Sequence, residues 1–144
     1  MTVKSYKGKV VKSTGSWYLI KTEDNQLIES RIKGKFRLKN TRTTNPVAVG
    51  DHVDYVLEEN GNGIITRLHE RHNYIIRKSV NLSKQTQIIA ANIDTAFLLI
   101  TLKNPQTHTV FVDRFLATAE AYRIKTILIF SKQDQYSVQE LEVL

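Results

Sequence analysis

The chain has 144 residues, 41% of them hydrophobic, no cysteine, and a formal charge of +7. That length allows one domain or two small ones with a real core. The missing cysteines exclude disulfides and Cys-based zinc sites, and no apolar stretch approaches the ~18 residues of a membrane-spanning helix. The charge is uneven: residues 1–90 carry +8 and residues 91–144 carry −1. The basic first part therefore favours a polyanionic partner, most often nucleic acid. No apolar run follows Lys4 at the amino terminus, so the sequence predicts no secretory signal, and a cytoplasmic location is expected.

Five short strands are expected first. Lys7 to Ser13 leads through Thr14-Gly15 into Trp17 to Lys21, and Leu27 to Ile32 follows Glu23-Asp24-Asn25. His52 to Leu57 alternates, and Asn60-Gly61-Asn62-Gly63 turns it back into Ile64 to Leu68. Five such strands suit a small closed barrel. An OB-type barrel leads and an SH3-like barrel competes, because periodicity alone does not separate them. Between the third and fourth strands lies a long segment, Lys33 to Val49, of the kind that is usually functional or mobile.

The sharpest basic cluster runs from the end of the third strand into that segment: Arg31, Lys33, Lys35, Arg37, Lys39 and Arg42, with no acidic residue among them. The first five fall on alternate positions. If extended, they project from one face as a ribbon matched to phosphates, with Phe36 pointing the other way as an anchor or toward a base. The competing reading is a solvated edge strand blunted by charge. Trp17, Tyr18, Tyr55 and Tyr74 are candidates for base stacking, but Trp17 and Tyr18 face opposite ways on a strand, so one of them belongs to the core. His69, Glu70 and His72 lack the spacing of a metal site.

Tyr74 to Ala91 reads as a connection with a polar middle. Thr95 to Leu102 is then a nearly continuous apolar run, as expected of a strand covered on both faces. Val112, Phe115, Leu116 and Ala119 mark one helix face, with Asp113 expected in the first turn. Lys125 to Phe130 is a second buried strand, and Ser137 to Leu144 reads as the start of another helix. Strand, helix, strand is a βαβ unit, with parallel strands and a right-handed crossover. The predicted organisation is a barrel over residues 1–75, a connection over 76–92 and an incomplete α/β unit over 93–144.

Ser131-Lys132-Gln133-Asp134 follows the second buried strand, at the strand end where open α/β sheets bind ligands. A carboxylate at Asp134 can accept from both the ring N–H and the exocyclic amine of guanine, while the Lys132 stem lies along the sugar and base. The alternative is a polar strand exit that caps the next helix. No glycine follows Gly63, so a phosphate-cradling G-x-x-x-x-G-K-S/T loop is impossible in that half.

Several segments now stand in order: Gly8-Lys9-Val10-Val11, Ile32-Lys33-Gly34-Lys35-Phe36-Arg37, Val49-Gly50-Asp51-His52-Val53, and Gly63-Ile64-Ile65 to Arg71-His72-Asn73. Ala90-Ala91-Asn92-Ile93-Asp94 and Val112-Asp113-Arg114-Phe115-Leu116 continue the series. With them the chain resembles the ribosome small-subunit-dependent GTPase A family over nearly its whole length. The resemblance implies an OB barrel, a circularly permuted GTPase domain of the P-loop type and a carboxyl-terminal zinc-binding lobe. It implies binding to rRNA of the small (30S) ribosomal subunit and GTP hydrolysis in late subunit maturation, by a monomer with no membrane partner. Ser131, Lys132 and Asp134 then occupy the positions of the family's Asn-Lys-x-Asp, with serine where asparagine is usual.

The phosphate loop, the switch segments and the zinc lobe have no counterpart in these 144 residues. The chain is therefore expected to be a truncated part of a longer parent, inactive by itself. GTP, Mg²⁺ and zinc are expected of that parent, with none bound here. The alternative is a stand-alone OB-type nucleic-acid-binding protein without a GTPase role.

Overall fold

A computed structural model describes residues 4–32, 34, 46–78 and 86–142. The chain divides into two compact units, residues 1–93 and 94–144.

The first unit is built on a closed barrel of β1 (Tyr6–Thr14), β2 (Trp17–Thr22), β3 (Leu27–Ile32), β4 (His52–Leu57) and β5 (Gly63–Leu68). Its strands run in the order β1-β2-β3-β5-β4, and β1 pairs with both β2 and β4. A bulge between Val10 and Lys12 bends β1 so that it can serve both neighbours. β3 and β5 close the barrel as a parallel pair, and that order selects the OB arrangement over the SH3-like one. Closure is tight at Gly63, where a Cβ would lie 2.3 Å from Ser30 Oγ, so any side chain there would push the two strands apart.

Alternation along the strands fills the barrel. Val10, Ile20, Val53 and Ile65 are fully buried, with Tyr18, Tyr55 and Val47 packed among them. Tyr6 stacks on Tyr55 at 5.7 Å between ring centroids. Tyr18 and Tyr55 are therefore core residues, not stacking platforms.

The stretch read as a connection forms an antiparallel pair, β6 (Tyr74–Lys78) with β7 (Thr86–Ala91), inside the first unit. The polar residues in the middle of the stretch disguised it in the sequence. Backbone contacts tie this pair to the barrel. Gly50 N donates to Val10 O at 2.8 Å, Ala91 N to Val49 O at 2.8 Å, and Asn92 Nδ2 to Gly50 O at 3.0 Å. Gly50 adopts φ +92°, and a Cβ there would fall 1.9 Å from Ala91 O, so only glycine permits this approach. Asn73 closes the unit by exchanging two hydrogen bonds with the Ile93 backbone, at 2.6 and 2.8 Å.

The second unit contains β8 (Thr95–Ile100), α1 (Thr109–Ala121), β9 (Lys125–Phe130), a 3₁₀ turn at Gln133–Gln135 and a short helix α2 (Val138–Glu142). β8 and β9 are parallel and in register from Thr95↔Lys125 to Ile100↔Phe130, as the βαβ reading predicts. Val112, Phe115, Leu116 and Ala119 form the inward face of α1. Three details differ from expectation. β9, read as a buried strand, has no fully buried residue and leaves Ile127, Leu128 and Ile129 exposed. α1 starts at Thr109, so Asp113 lies beyond its first turn. β8 is covered on one face only: Leu98 and Ile100 are buried, while Phe97 and Leu99 remain 64% and 61% exposed. One helix shields one side of a sheet, and no described element of this unit lies over the other.

Candidate nucleic-acid interface and base-reading loop

OB barrels bind nucleic acid on the β2–β3 face and the flanking β1–β2 and β4–β5 turns. Here that region carries an aromatic and a cation side by side. Trp17 opens β2, lies directly opposite Arg31 of β3 and is 43% exposed. An indole and a guanidinium on directly opposed residues offer a stacking plane and a phosphate donor to the same strand of nucleic acid. Arg31 is not free: its Nη2 donates to both carboxylate oxygens of Glu58, at 2.8 and 3.2 Å, at the entry to the β4–β5 turn. Glu58 therefore both orients and partly neutralises it.

Of the other sequence-predicted contacts, Lys33, Lys35, Phe36, Arg37, Lys39 and Arg42 lie outside the described residues. The residues that follow, from Pro46, are well fixed. Asp51 is fully buried, and its carboxylate accepts from Ala48 N at 2.7 Å and from Arg71 at 2.6 and 2.7 Å. Arg71 also donates to Pro46 O at 3.0 Å. One buried ion pair thus moors Pro46–Asp51 to the residues after β5. Sequence reading missed it, because 20 residues separate the partners.

In the second unit the base-reading candidates sit on a braced loop. Ser131 N donates to Ile100 O at 2.9 Å, which continues the sheet for one further bond. Lys132 takes the left-handed conformation, φ +60°, and turns the chain into the 3₁₀ segment. Tyr136, almost fully buried, locks the turn: its hydroxyl donates to Ser131 O at 2.7 Å and accepts from Leu102 N at 2.8 Å. Lys132 Nζ donates to Asn104 O in the loop after β8. Asp134 stays exposed, with no ion-pair partner among the described residues. The loop thus presents an exposed carboxylate two residues from a lysine held by Asn104 O, at the carboxyl end of a parallel strand.

Ser137 and Glu140 form a capping box on α2, with Ser137 N donating to Glu140 Oε2 at 2.7 Å and Glu140 N to Ser137 Oγ at 3.3 Å. The Ser137 backbone N–H, then Lys103 at 3.0 Å, holds the Glu140 carboxyl below its usual range. The polar strand exit therefore also leads into a capped helix. That cap belongs to Ser137, not to Ser131 or Asp134, so the two readings of the motif do not compete for the same side chains.

The RsgA N-terminal domain family matches residues 7–65, and the RsgA GTPase family matches residues 68–144. The chain belongs to the RsgA family. It is 62% identical over 137 residues to the small ribosomal subunit biogenesis GTPase RsgA of Christiangramia forsetii, covering 93% of this chain and 44% of that protein. Against the same-named protein of Flavobacterium johnsoniae it is 59% identical over 138 residues, covering 94% of this chain and 42% of that protein. The crystal structure of YjeQ from Thermotoga maritima superimposes with a TM-score of 0.73 at 30% identity, over 97% of this chain and 46% of the other. YloQ, described as a circularly permuted GTPase, gives a TM-score of 0.71 at 29% identity and covers 97% and 45%. The chain thus spans less than half the length of these RsgA relatives.

Among the described residues, no three His, Cys, Asp or Glu side chains gather as ligands for a metal ion, and no helix is long and apolar enough to cross a membrane.

Proposed function

We propose that these residues supply the RNA-binding barrel and the base-reading loop of a GTPase that matures the small ribosomal subunit. The observation that carries this reading is the exposed Trp17–Arg31 pair on the β2–β3 face of a barrel whose part of the chain holds the whole positive charge. The names of its relatives supply the subunit. Lys33, Lys35, Phe36, Arg37, Lys39 and Arg42 would extend the same contact to rRNA. Ser131, Lys132 and Asp134 would read guanine, with Asp134 accepting from the base. In a permuted order the base reader precedes the phosphate loop, so its early position here is as expected.

GTP hydrolysis needs a grip on the phosphates and Mg²⁺. In this reading those groups, and the zinc site, belong to a longer parent protein, which acts in the cytoplasm as a monomer. Co-sedimentation with small ribosomal subunits, against generic single-stranded DNA across a salt series, tests the proposal. Preferential binding to subunits, weakened by Trp17→Ala and Arg31→Ala, is expected. Equal affinity for both polymers would instead identify a general nucleic-acid-binding barrel.

A further inference from the structure

A row of lysine and histidine side chains crosses the barrel away from the Trp17 end. The register places Lys21 of β2 directly opposite Lys9 of β1, and Lys9 directly opposite His52 of β4. His69, just beyond β5, extends the row by donating its backbone N–H to His52 O at 2.9 Å. Side chains alternate along strands, and Val10, Ile20 and Val53, the immediate neighbours of these residues, are fully buried. Lys9, Lys21 and His52 therefore all project outward.

Directly opposed like charges cost a sheet stability, so burial and pairing give no reason for this arrangement. The nearby acids do not neutralise it. Asp54 accepts from His69 Nε2 at 2.7 Å and lies opposite Lys7, while Glu23 stands at the rim. Among the described residues Lys9, Lys21 and His52 have no ion-pair partner. A concavity of about 440 Å³ opens over them, with Lys7 and His69 also in its lining.

We infer that this row is a second RNA-contacting surface, a ridge that holds the phosphate backbone through Lys21, Lys9 and His52. Neighbouring strands stand ~4.8 Å apart, so the three residues span about 10 Å, enough to meet two successive phosphates. Along β2 the ridge lies four residues from Trp17, or about 13 Å. The barrel would then engage RNA at two places, the Trp17 end choosing bases and the ridge holding backbone without regard to sequence. This inference rests on the RNA-binding reading above but not on the ribosomal one.

The test compares the wild-type chain with Lys9→Gln/Lys21→Gln, using small ribosomal subunits and a 20-base-pair RNA duplex of arbitrary sequence, across a salt series. The double variant is expected to bind both more weakly and to flatten the slope of log affinity against log salt by about 2, one per lost phosphate contact. Its thermal midpoint should hold or rise, because a like-charge pair has been removed. An unchanged slope on the duplex overturns the ridge, as does a wild-type chain that binds no duplex. A flattened slope on the duplex, with no subunit binding by either protein, keeps the ridge and overturns the ribosomal reading.

Discussion

Arg71 grips Asp51 with two of its nitrogens, Nε donating to Oδ1 at 2.7 Å and Nη2 to Oδ2 at 2.6 Å. The carboxylate is fully buried and the guanidinium nearly so. A buried pair of this geometry is not itself strong evidence of net stabilisation, but removing one partner leaves an uncompensated charge. Arg71→Ala should destabilise the barrel by about 3–5 kcal/mol. Arg71→Lys should recover little of this, since an ammonium does not reproduce the fork that meets both oxygens. Urea denaturation of both variants checks this. Because Arg71 also holds Pro46 O and Asp51 holds Ala48 N, amide exchange at Ala48 should accelerate before global unfolding.

Glu58 sits on Arg31 as a partial neutraliser. Arg31 is about half exposed, so the pair contributes little to folding, and Glu58→Gln should change stability by less than ~1 kcal/mol. The same change frees the guanidinium for phosphate and should tighten RNA binding about two- to fivefold. Unchanged binding in a fluorescence titration with RNA would place Arg31 outside the contact.

The strands and helix were legible because their signals are local. Alternation through Val53 and Tyr55, the Asn60–Gly63 turn and the Val112–Ala119 spacing each involve neighbours in the chain. What local windows left open depends on distant pairing. The OB order, which led among the expected barrels and which the family resemblance implied, rests on β3 meeting β5 in parallel, at Ser30↔Gly63, and no window around either strand contains that fact. The same holds for the Asp51–Arg71 pair and for the Lys21–Lys9–His52 row, whose members alternate unremarkably within their own strands. Within the Ser131–Asp134 loop the motif was visible, but the brace was not: Tyr136 lies just past it and reaches back to Ser131 and forward in space to Leu102. Asp113 was misplaced because α1 begins at Thr109, one turn before the first residue of its apolar face.

Tyr55 gives the barrel an alkaline limit. Burial, followed by the nearby Tyr6, Asp24 and Glu23, raises its hydroxyl above the ordinary value of 10.0. The folded state therefore favours the protonated phenol. That contribution is fully present below the unfolded value and is lost as pH rises through the higher folded one. Urea midpoints should hold level toward pH 10 and fall above it, and Tyr55→Phe should lessen the fall. An identical alkaline decline in the variant would assign it to other groups.

Tyr136 is the residue on which the Ser131–Asp134 loop, proposed to read guanine, depends. Its hydroxyl serves two part-buried backbone groups, the carbonyl of Ser131 and the amide of Leu102. Tyr136→Phe keeps the ring, including its place beneath Lys103 Nζ at 5.6 Å, and removes only these bonds. An amide left without a partner in such a place costs about 1–3 kcal/mol. The second unit should lose roughly that much stability, with faster exchange at Leu102. Ser131 also bonds to β8 through its own amide, so the strand should persist while the turn after it loosens. The carboxylate of Asp134 should then sample more positions, and guanine-nucleotide affinity in a chain that carries the phosphate loop should fall about tenfold, with the barrel's RNA binding unchanged. Ser131→Asn is the contrasting variant. The serine side chain is not what fixes the loop, so the substitution should leave stability within ~0.5 kcal/mol. Calorimetric titration with GDP separates the two: a loss in Tyr136→Phe beside a neutral or improved Ser131→Asn assigns the geometry of the base site to the tyrosine brace.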